Sequence, residues 1–540
     1  MENSFLKRME KILWAAFAVC GAAAAIGIFL LVNTSQTENE TLPEEEHIEE
    51  EVSYDWEMGL SDSNYWLPSE YSPCAEIPEI IFTDGEGKEH SIREWRGGVT
   101  VLVFWASWCD DCKEQMSCIG EYMESAKEAG NVSFLFVNKT DGEKETKESA
   151  KAYFGQLGLE CETYYGVPEE SFDTLGIRNI PTVLFLDKEG RMAACSPRQL
   201  MNKGEFEALL KNAVTGSGKV TAEFVKNYMT DEEGGVHSTY VQGEGAAQQP
   251  EVLSESQGLM LLYAAETGEQ ELFDRTLAYI RNYMWNDGLA AWRVEHGTAS
   301  GVNALLDDLR IYRSLRQAEE VWGGYQEDIK YCEESLERYG IKKSGYVDFY
   351  DKAEGEYASR FTLCYADLEA MQLLAEKGGK FEKAYKKAES VLEGGQISEE
   401  FPLYYSWYNY SRRRYEKDDL NTAEAMVTLL HLARQDKLPD NSIQWLKGKI
   451  STDGIKARYS IDGQAVDGYD YESSAVYALV AMIAREAGDD ILEGQALRKM
   501  EKMRIADISL EYNGAFGMAD GSGITSFDQL MPVLAYTCNR

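Results

Sequence analysis

Residues 101–115 read VLVFWASWCDDCKEQ: an apolar run, two tryptophans, then Cys109 and Cys112 opening an amphipathic segment. The pattern predicts a buried strand feeding a helix with two thiols in its first turn. A cysteine at a helix N-terminus faces unpaired backbone N–H groups and the positive end of the helix dipole, which favour its thiolate. A second thiol one turn on can then resolve a mixed disulfide within the chain. The plainer alternatives are a zinc knuckle or two unrelated core cysteines. Zinc would want a second ligand pair at similar spacing, and none follows.

Working outward, IPEIIFTDGEGKEHSIREWRGGVTVLVFWASWCDDC upstream and NIPTVLFLDKEGRM downstream fill residues 78–190 with a pattern that resembles the thioredoxin fold. It is most similar to the membrane-anchored thioredoxin-like proteins that reduce disulfides outside the cytoplasmic membrane, for instance in cytochrome maturation. That resemblance implies Cys109 as exposed nucleophile, Cys112 as resolving thiol, Trp108 packed beside them and Pro181 as a cis-proline next to the thiols. It also implies a disulfide-bearing protein substrate and an electron-donating thiol partner, with no cofactor beyond the Cys109–Cys112 disulfide. Asp110 and Asp111 stand where the family often has proline or another uncharged residue. Two carboxylates there oppose the dipole and disfavour the thiolate, so a reductant is expected.

The chain has 540 residues and a formal charge of −40, from 53 basic and 93 acidic side chains. Such a balance argues against a nucleic-acid or anionic-lipid surface. Ten cysteines over this length are too sparse for a disulfide scaffold. The five histidines, at 47, 90, 237, 296 and 431, form no ligand cluster, and no metal is expected.

Residues 13–32 carry no charge and follow Lys7, Arg8 and Lys11. This predicts a signal-anchor transmembrane helix with the amino terminus in the cytoplasm and the rest of the chain outside the cell membrane. A cleaved signal peptide is the competing reading. A lipoprotein signal at Cys20 is disfavoured by Val19 before it. Residues 33–72, with Glu44–Glu46 and Glu49–Glu51, read as an acidic disordered stalk. The thioredoxin-like domain is expected over 73–214, ending with a helix near 206–212 and a short Thr215-Gly216-Ser217-Gly218 linker. Gly218-Lys219 is a fragment of a phosphate loop and lacks its other residues.

From residue 215 to 540 the character changes. Apolar residues recur at helical spacing over 258–267, 271–284, 302–317, 357–375, 422–435, 472–487 and 526–538, between Gly-, Asn- and Asp-rich turns. About a dozen such helices in antiparallel pairs, with no superhelical repeat motif, predict a closed helical barrel or toroid.

Two segments place polar residues in otherwise apolar helices: Leu253-Ser254-Glu255-Ser256-Gln257-Gly258 and Ala304-Leu305-Leu306-Asp307-Asp308-Leu309-Arg310-Ile311. Helix capping by Ser254 with Gln257 explains the first, and an ion pair of Asp308 or a neighbour with Arg310 explains the second. Together they resemble the SExQG and ATDADLDIA signatures of glycoside hydrolase family 8, (α/α)6-barrel enzymes that cut β-1,4-linked glucan, xylan or chitosan with inversion. The resemblance implies Glu255 as general acid, Asp308 as the carboxylate contacting the sugar at the cleavage point, and a β-linked polysaccharide as substrate. The family's preceding aspartate is Leu306 here.

Inversion needs a second carboxylate roughly 6.5–9.5 Å from the acid. One branch of the family carries it in a YDAxR motif, whose counterpart, Tyr408-Asn409-Tyr410-Ser411-Arg412, has an amide in its place. Asp307, Asp308, Asp418 and Asp419 are the sequence candidates for the missing base. A barrel that binds glycan or docks a partner without efficient hydrolysis is the alternative. Nearby Trp285, Trp292, Tyr404, Tyr405, Trp407 and Tyr408 suit sugar stacking and suit core packing equally.

Overall fold

The computed structural model describes residues 75–537, other than 160, 162, 167–170, 178, 201, 243–249, 287 and 344. The expected membrane helix, the stalk, Cys20 and Cys74 lie outside the described residues. Among those described, no helix is long and apolar enough to cross a membrane.

The amino-terminal domain is built on β3 (Val99–Trp105), all seven of whose residues are buried. A strand covered on both faces reads as an unbroken apolar run. Val101, Val103 and Trp105 pack under α1 (Asp110–Ala126) and α3 (Lys203–Thr215), while Leu102 and Phe104 pack on the other face against Ile80, Phe82 and Phe172. The sheet also holds β1 (Ile81–Thr83), β2 (Glu89–Ser91), β4 (Val132–Lys139), β5 (Thr163–Gly166), β6 (Thr182–Leu186) and β7 (Met192–Ser196), in the order β2-β1-β5-β4-β3-β6-β7. β3, β4 and β5 run parallel and β6 antiparallel to β3. α2 (Lys147–Phe154) follows β4. This is a thioredoxin-like sheet.

The anticipated linker shrinks to one residue. α3 ends at Thr215, Gly216 turns the chain with φ 97°, and Ser217 already begins α4 (Ser217–Tyr228). Gly216 supplies a backbone angle that other residues rarely adopt. The domains then touch directly. Ser217 Oγ donates to the Ala193 carbonyl (3.2 Å), Ile508 N to the Gly204 carbonyl (3.2 Å), and Lys211 pairs with Glu223 across the turn (3.0 Å).

Twelve helices make up the carboxy-terminal domain among the described residues: α4, α5 (Ser254–Thr267), α6 (Gln270–Tyr279), α7 (Leu305–Val321), α8 (Gln326–Ser335), α9 (Leu368–Ala375), α10 (Gly379–Glu393), α11 (Thr422–Ala433), α12 (Asp440–Ser451), α13 (Ser474–Glu486), α14 (Asp490–Glu501) and α15 (Ser526–Thr537). α5, α7, α9, α11, α13 and α15 each contact the next, and α15 returns to α5, closing an inner ring. α6, α8, α10 and α14 each pack outside the inner helix that precedes them in sequence, and α12 packs against α14. α4 covers α15, so the domain's first helix completes its last pair.

Residues 357–375, expected as one helix, are two short strands (Glu356–Tyr357 and Arg360–Thr362), a 3-10 turn (Leu363–Tyr365) and then α9. Asp367 caps α9 by accepting from Ala370 N (3.1 Å), which fixes the helix start late. The inner helices bury nearly every side chain, whereas α8, α10 and α12 bury one face only.

Candidate active sites

Cys109 is the N-cap of α1 and forms a disulfide with Cys112, their Cα atoms 5.2 Å apart. Cys109 Sγ accepts from Cys112 N (3.1 Å), so the sulfur sits on the helix N-terminus. It also lies 3.4 Å from the Ile180 carbonyl oxygen, and the Ile180–Pro181 bond is cis. Cys112 is fully buried, and Cys109, expected to be exposed, keeps only 8% exposure beside the Ile180 carbonyl. Trp108 is 44% exposed, with the Lys144 ammonium 5.6 Å from its ring centre.

The Asp110 side chain points to solvent and pairs with Lys113 (2.8 Å), whose ammonium holds Asp110 below the usual carboxylate range. That pairing weakens the field of Asp110 at Cys109. The sequence reading did not single out Glu145, which is buried beneath the loop before the thiols. Glu145 accepts from Ser107 N (3.2 Å), Ser107 Oγ (2.7 Å) and Asn138 Nδ2 (2.9 Å), and so fixes the approach to Trp108 and Cys109.

In the barrel, Glu255 lies in the first turn of α5 with 2% exposure. The capping arrangement expected of Ser254 and Gln257 is absent. Leu253 holds the N-cap position, Ser254 Oγ donates to Asp307 Oδ2 (2.5 Å), and Gln257 accepts from Val236 N (2.8 Å). Arg310 Nη1 stands between two carboxylates, 3.2 Å from Asp307 Oδ1 and 3.6 Å from Glu255 Oε2. Burial pushes the Glu255 carboxyl well above its ordinary range; Arg310 opposes the shift, and the charges of Asp307 and Glu424 add to it. Burial also raises Asp307, against Arg310 and Ser254.

Asp308 is placed elsewhere. Its carboxylate accepts from Asn303 Nδ2 (2.6 Å) and lines a small cavity with Trp285, Tyr331 and Cys332, against the outer helix α8. At 100° per residue, Asp308 and Arg310 project from nearly opposite sides of α7. The structure therefore joins Glu255 to Asp307 through Arg310 and directs Asp308 outward. The ion pair expected at Arg310 is the one with Asp307.

Two other positions singled out in the sequence, Asp418 and Asn409, have local partners. Asp418 accepts from Trp407 Nε1 (2.7 Å), and Asn409 Oδ1 from Arg412 N (2.9 Å), which spends the amide on a hairpin turn. Asp348, a residue the sequence reading passed over, accepts from Arg360 Nε (2.8 Å), Thr362 N (2.6 Å) and Thr362 Oγ1 (2.7 Å). No group of His, Cys, Asp and Glu among the described residues could hold a metal ion.

The Glu255 shift has a stability consequence. Its unfolded pKa is about 4.3 and its folded pKa lies higher, so the stability it contributes is full below about pH 4.3 and is lost as pH rises through the folded value. Glu255→Gln carries no such loss. Its thermal midpoint relative to wild type should climb between pH 5 and pH 8; a flat or falling difference would contradict the burial of an ionisable carboxyl.

Comparison with known proteins supports both halves. Residues 74–195 match the AhpC/TSA family, and residues 201–347 match the glycosyl hydrolases family 8. The putative lipoprotein YdaJ of Bacillus subtilis (strain 168) is 27% identical over 364 residues, 66% of this chain and 96% of its own length. Thiol-disulfide oxidoreductase ResA of Bacillus thuringiensis (strain Al Hakam) is 28% identical over 117 residues; the match spans 22% of this chain and 65% of the relative. An alpha-amylase from Clostridium perfringens superposes with TM-score 0.56 and 29% identity, covering 60% of this chain and 98% of that one. The chain thus joins a thioredoxin-like domain of the AhpC/TSA type to a glycoside hydrolase family 8-like barrel.

Proposed function

We propose that this chain is a membrane-tethered, extracytoplasmic protein that reduces protein disulfides through Cys109 and Cys112 and cleaves a polysaccharide in its barrel with inversion. The reductase reading is carried by Cys109 Sγ, held at the N-terminus of α1 beside the cis Ile180–Pro181 bond. Backbone donors and the dipole stabilise the Cys109 thiolate, and Cys112, buried one turn on, is positioned to resolve the intermediate. The substrate is a disulfide-bearing protein, and a thiol partner returns the electrons. With Asp110 partly neutralised by Lys113, Asp111 carries most of the remaining opposition to the thiolate.

The glycosidase reading is carried by Glu255, an almost wholly buried carboxyl whose surroundings favour its protonated form. A protonated carboxyl at neutral pH can donate to the leaving-group oxygen. The family-8 match favours a β-linked polysaccharide; the alpha-amylase among the similar structures makes an α-glucan the competitor. Asn409 favours a second reading, a barrel that binds glycan without turnover, because its amide takes no proton and is held by Arg412 N.

The charge-free residues 13–32 after three basic residues support a membrane helix. Because YdaJ is described as a putative lipoprotein, a lipid on Cys20 is the competing anchor. The intact chain should fractionate with membranes, and so should Cys20→Ser; release of the mutant alone would favour the lipid.

Cys109→Ser should abolish reduction of a model disulfide, whereas Cys112→Ser should accumulate a mixed disulfide through Cys109. Equal trapping by both mutants would defeat these roles, and a potential well above roughly −200 mV would defeat the reductant assignment.

For the barrel, mixed-linkage β-glucan, xylan, chitosan and soluble starch are compared as substrates, reading bound polymer and released reducing ends separately. Wild type should release ends from a β-linked polymer. Glu255→Gln should keep binding and lose roughly 10²-fold or more in turnover. Binding without release by wild type would establish the glycan-binding reading.

A further inference from the structure

The glycosidase reading leaves the carboxylate that activates water unassigned, and the helical geometry bears on it. Glu255 and Glu266 are eleven residues apart on α5, and Glu424 and His431 seven apart on α11. At 3.6 residues per turn each pair shares one helix face. Glu266 and His431, each in the last turn of its helix, both feel the buried Arg313 and Arg434. The lower ends of the two stripes therefore approach the same pair of arginines. Their upper ends carry Glu255 and Glu424.

α5 and α11 stand three places apart in the six-membered inner ring, so they face each other across it. We propose that Glu424 is the general base of the glycosidase, on the wall of the mouth opposite the acid Glu255. Cys364, in the turn that leads to α9, feels the charge of both carboxylates, as expected of two groups at one mouth. Glu424 is partly exposed, so its carboxylate can meet water. Asp307 and Asp348 are buried, and Asp308 faces α8.

The inference rests on the glycosidase reading. Water attacks the anomeric carbon from the face opposite the leaving group and gives its proton to the Glu424 carboxylate. As the new C–O bond forms, the glycosidic C–O bond breaks and its electron pair goes to the leaving oxygen, which takes the proton of Glu255. Exchange with solvent restores both side chains. Glu424 stands where Asn409 cannot act, on a helix rather than on a hairpin.

The test uses the full chain and whichever of the four polymers wild type cleaves fastest, with Glu424→Gln and Glu424→Ala. Both variants should retain polymer binding and lose about 10²- to 10⁴-fold in turnover with KM little changed. Azide added to Glu424→Ala should restore turnover and yield a glycosyl azide of configuration opposite to the cleaved linkage, because azide needs no base. A merely structural role would give no rescue. Turnover of Glu424→Gln within about 10-fold of wild type overturns the assignment, as does azide rescue of Asp419→Asn with Glu424→Ala remaining active; in either case the glycosidase reading survives. A wild type that cleaves none of the polymers overturns that reading, and the need for a base with it.

Discussion

Ring closure is the constraint on which the barrel depends. A helical hairpin buries one face of its outer helix but leaves the inner one apolar almost all round, so no hairpin here is complete alone. Closing the ring through α15 and α5 covers the last open flank, and α4 covers α15 from outside. Because each hairpin returns the chain to its starting end, all inner helices run the same way. The N-termini of α5, α7 and α11 gather at one mouth, where Glu255, Asp307 and Glu424 come from first turns, whereas α9 starts deeper, at Asp367. Functional groups from distant parts of the sequence meet because of this directionality.

The same closure forces charge into the interior. Arg310 is buried between Glu255 and Asp307, and lower down Arg313 lies near Asp367 and Glu369. Breaking such a pair by removing one member is costly, and its net worth against an apolar pair is small. At the mouth the cost has a use: burial and the charge of Asp307 keep the Glu255 proton on, while Arg310 limits the shift. Asp367 shows the opposite balance: Arg313 and His431 hold its carboxyl down to about 2 despite full burial. Glu255 lies 3.6 Å from Arg310 and Asp367 3.5 Å from Arg313, so the rest of the surroundings separates them: the charges of Asp307 and Glu424 on the first, His431 and the Ala370 N–H on the second.

Much of this was legible in the sequence where local chemistry decides. A strand buried on both faces must be continuously apolar, and a cysteine that caps a helix must precede an amphipathic run; residues 101–115 satisfy both. Five of the seven periodic segments in the second half coincide with inner helices and one, 271–284, with the outer helix α6; the inner helices are apolar enough to stand out. The outer helices α8, α10 and α12 carry mostly polar and charged side chains and did not. Residues 357–375 misled because short strands and a turn leave the same recurrence of apolar residues as a helix. Asp307 and Asp308 could not be ranked, since one step of 100° separates a partner of Arg310 from a group facing α8, and the phase depends on groups from other helices, such as Ser254 and Cys332. Glu424 gave no signal, sitting three residues after Asn421 in what reads as an ordinary cap.

The two domains meet over Gly216 and touch through Ser217 and the Lys211–Glu223 pair. The central claim for the barrel is that acid and base stand on opposite walls of the mouth with room for a water between them. Proton NMR of the anomeric signal during the first minutes of cleavage tests it most directly. Carboxylates separated across the mouth predict that the new reducing end appears with configuration opposite to the cleaved linkage before mutarotation; a retained configuration, which needs carboxyl groups only about 5–5.5 Å apart, would contradict it.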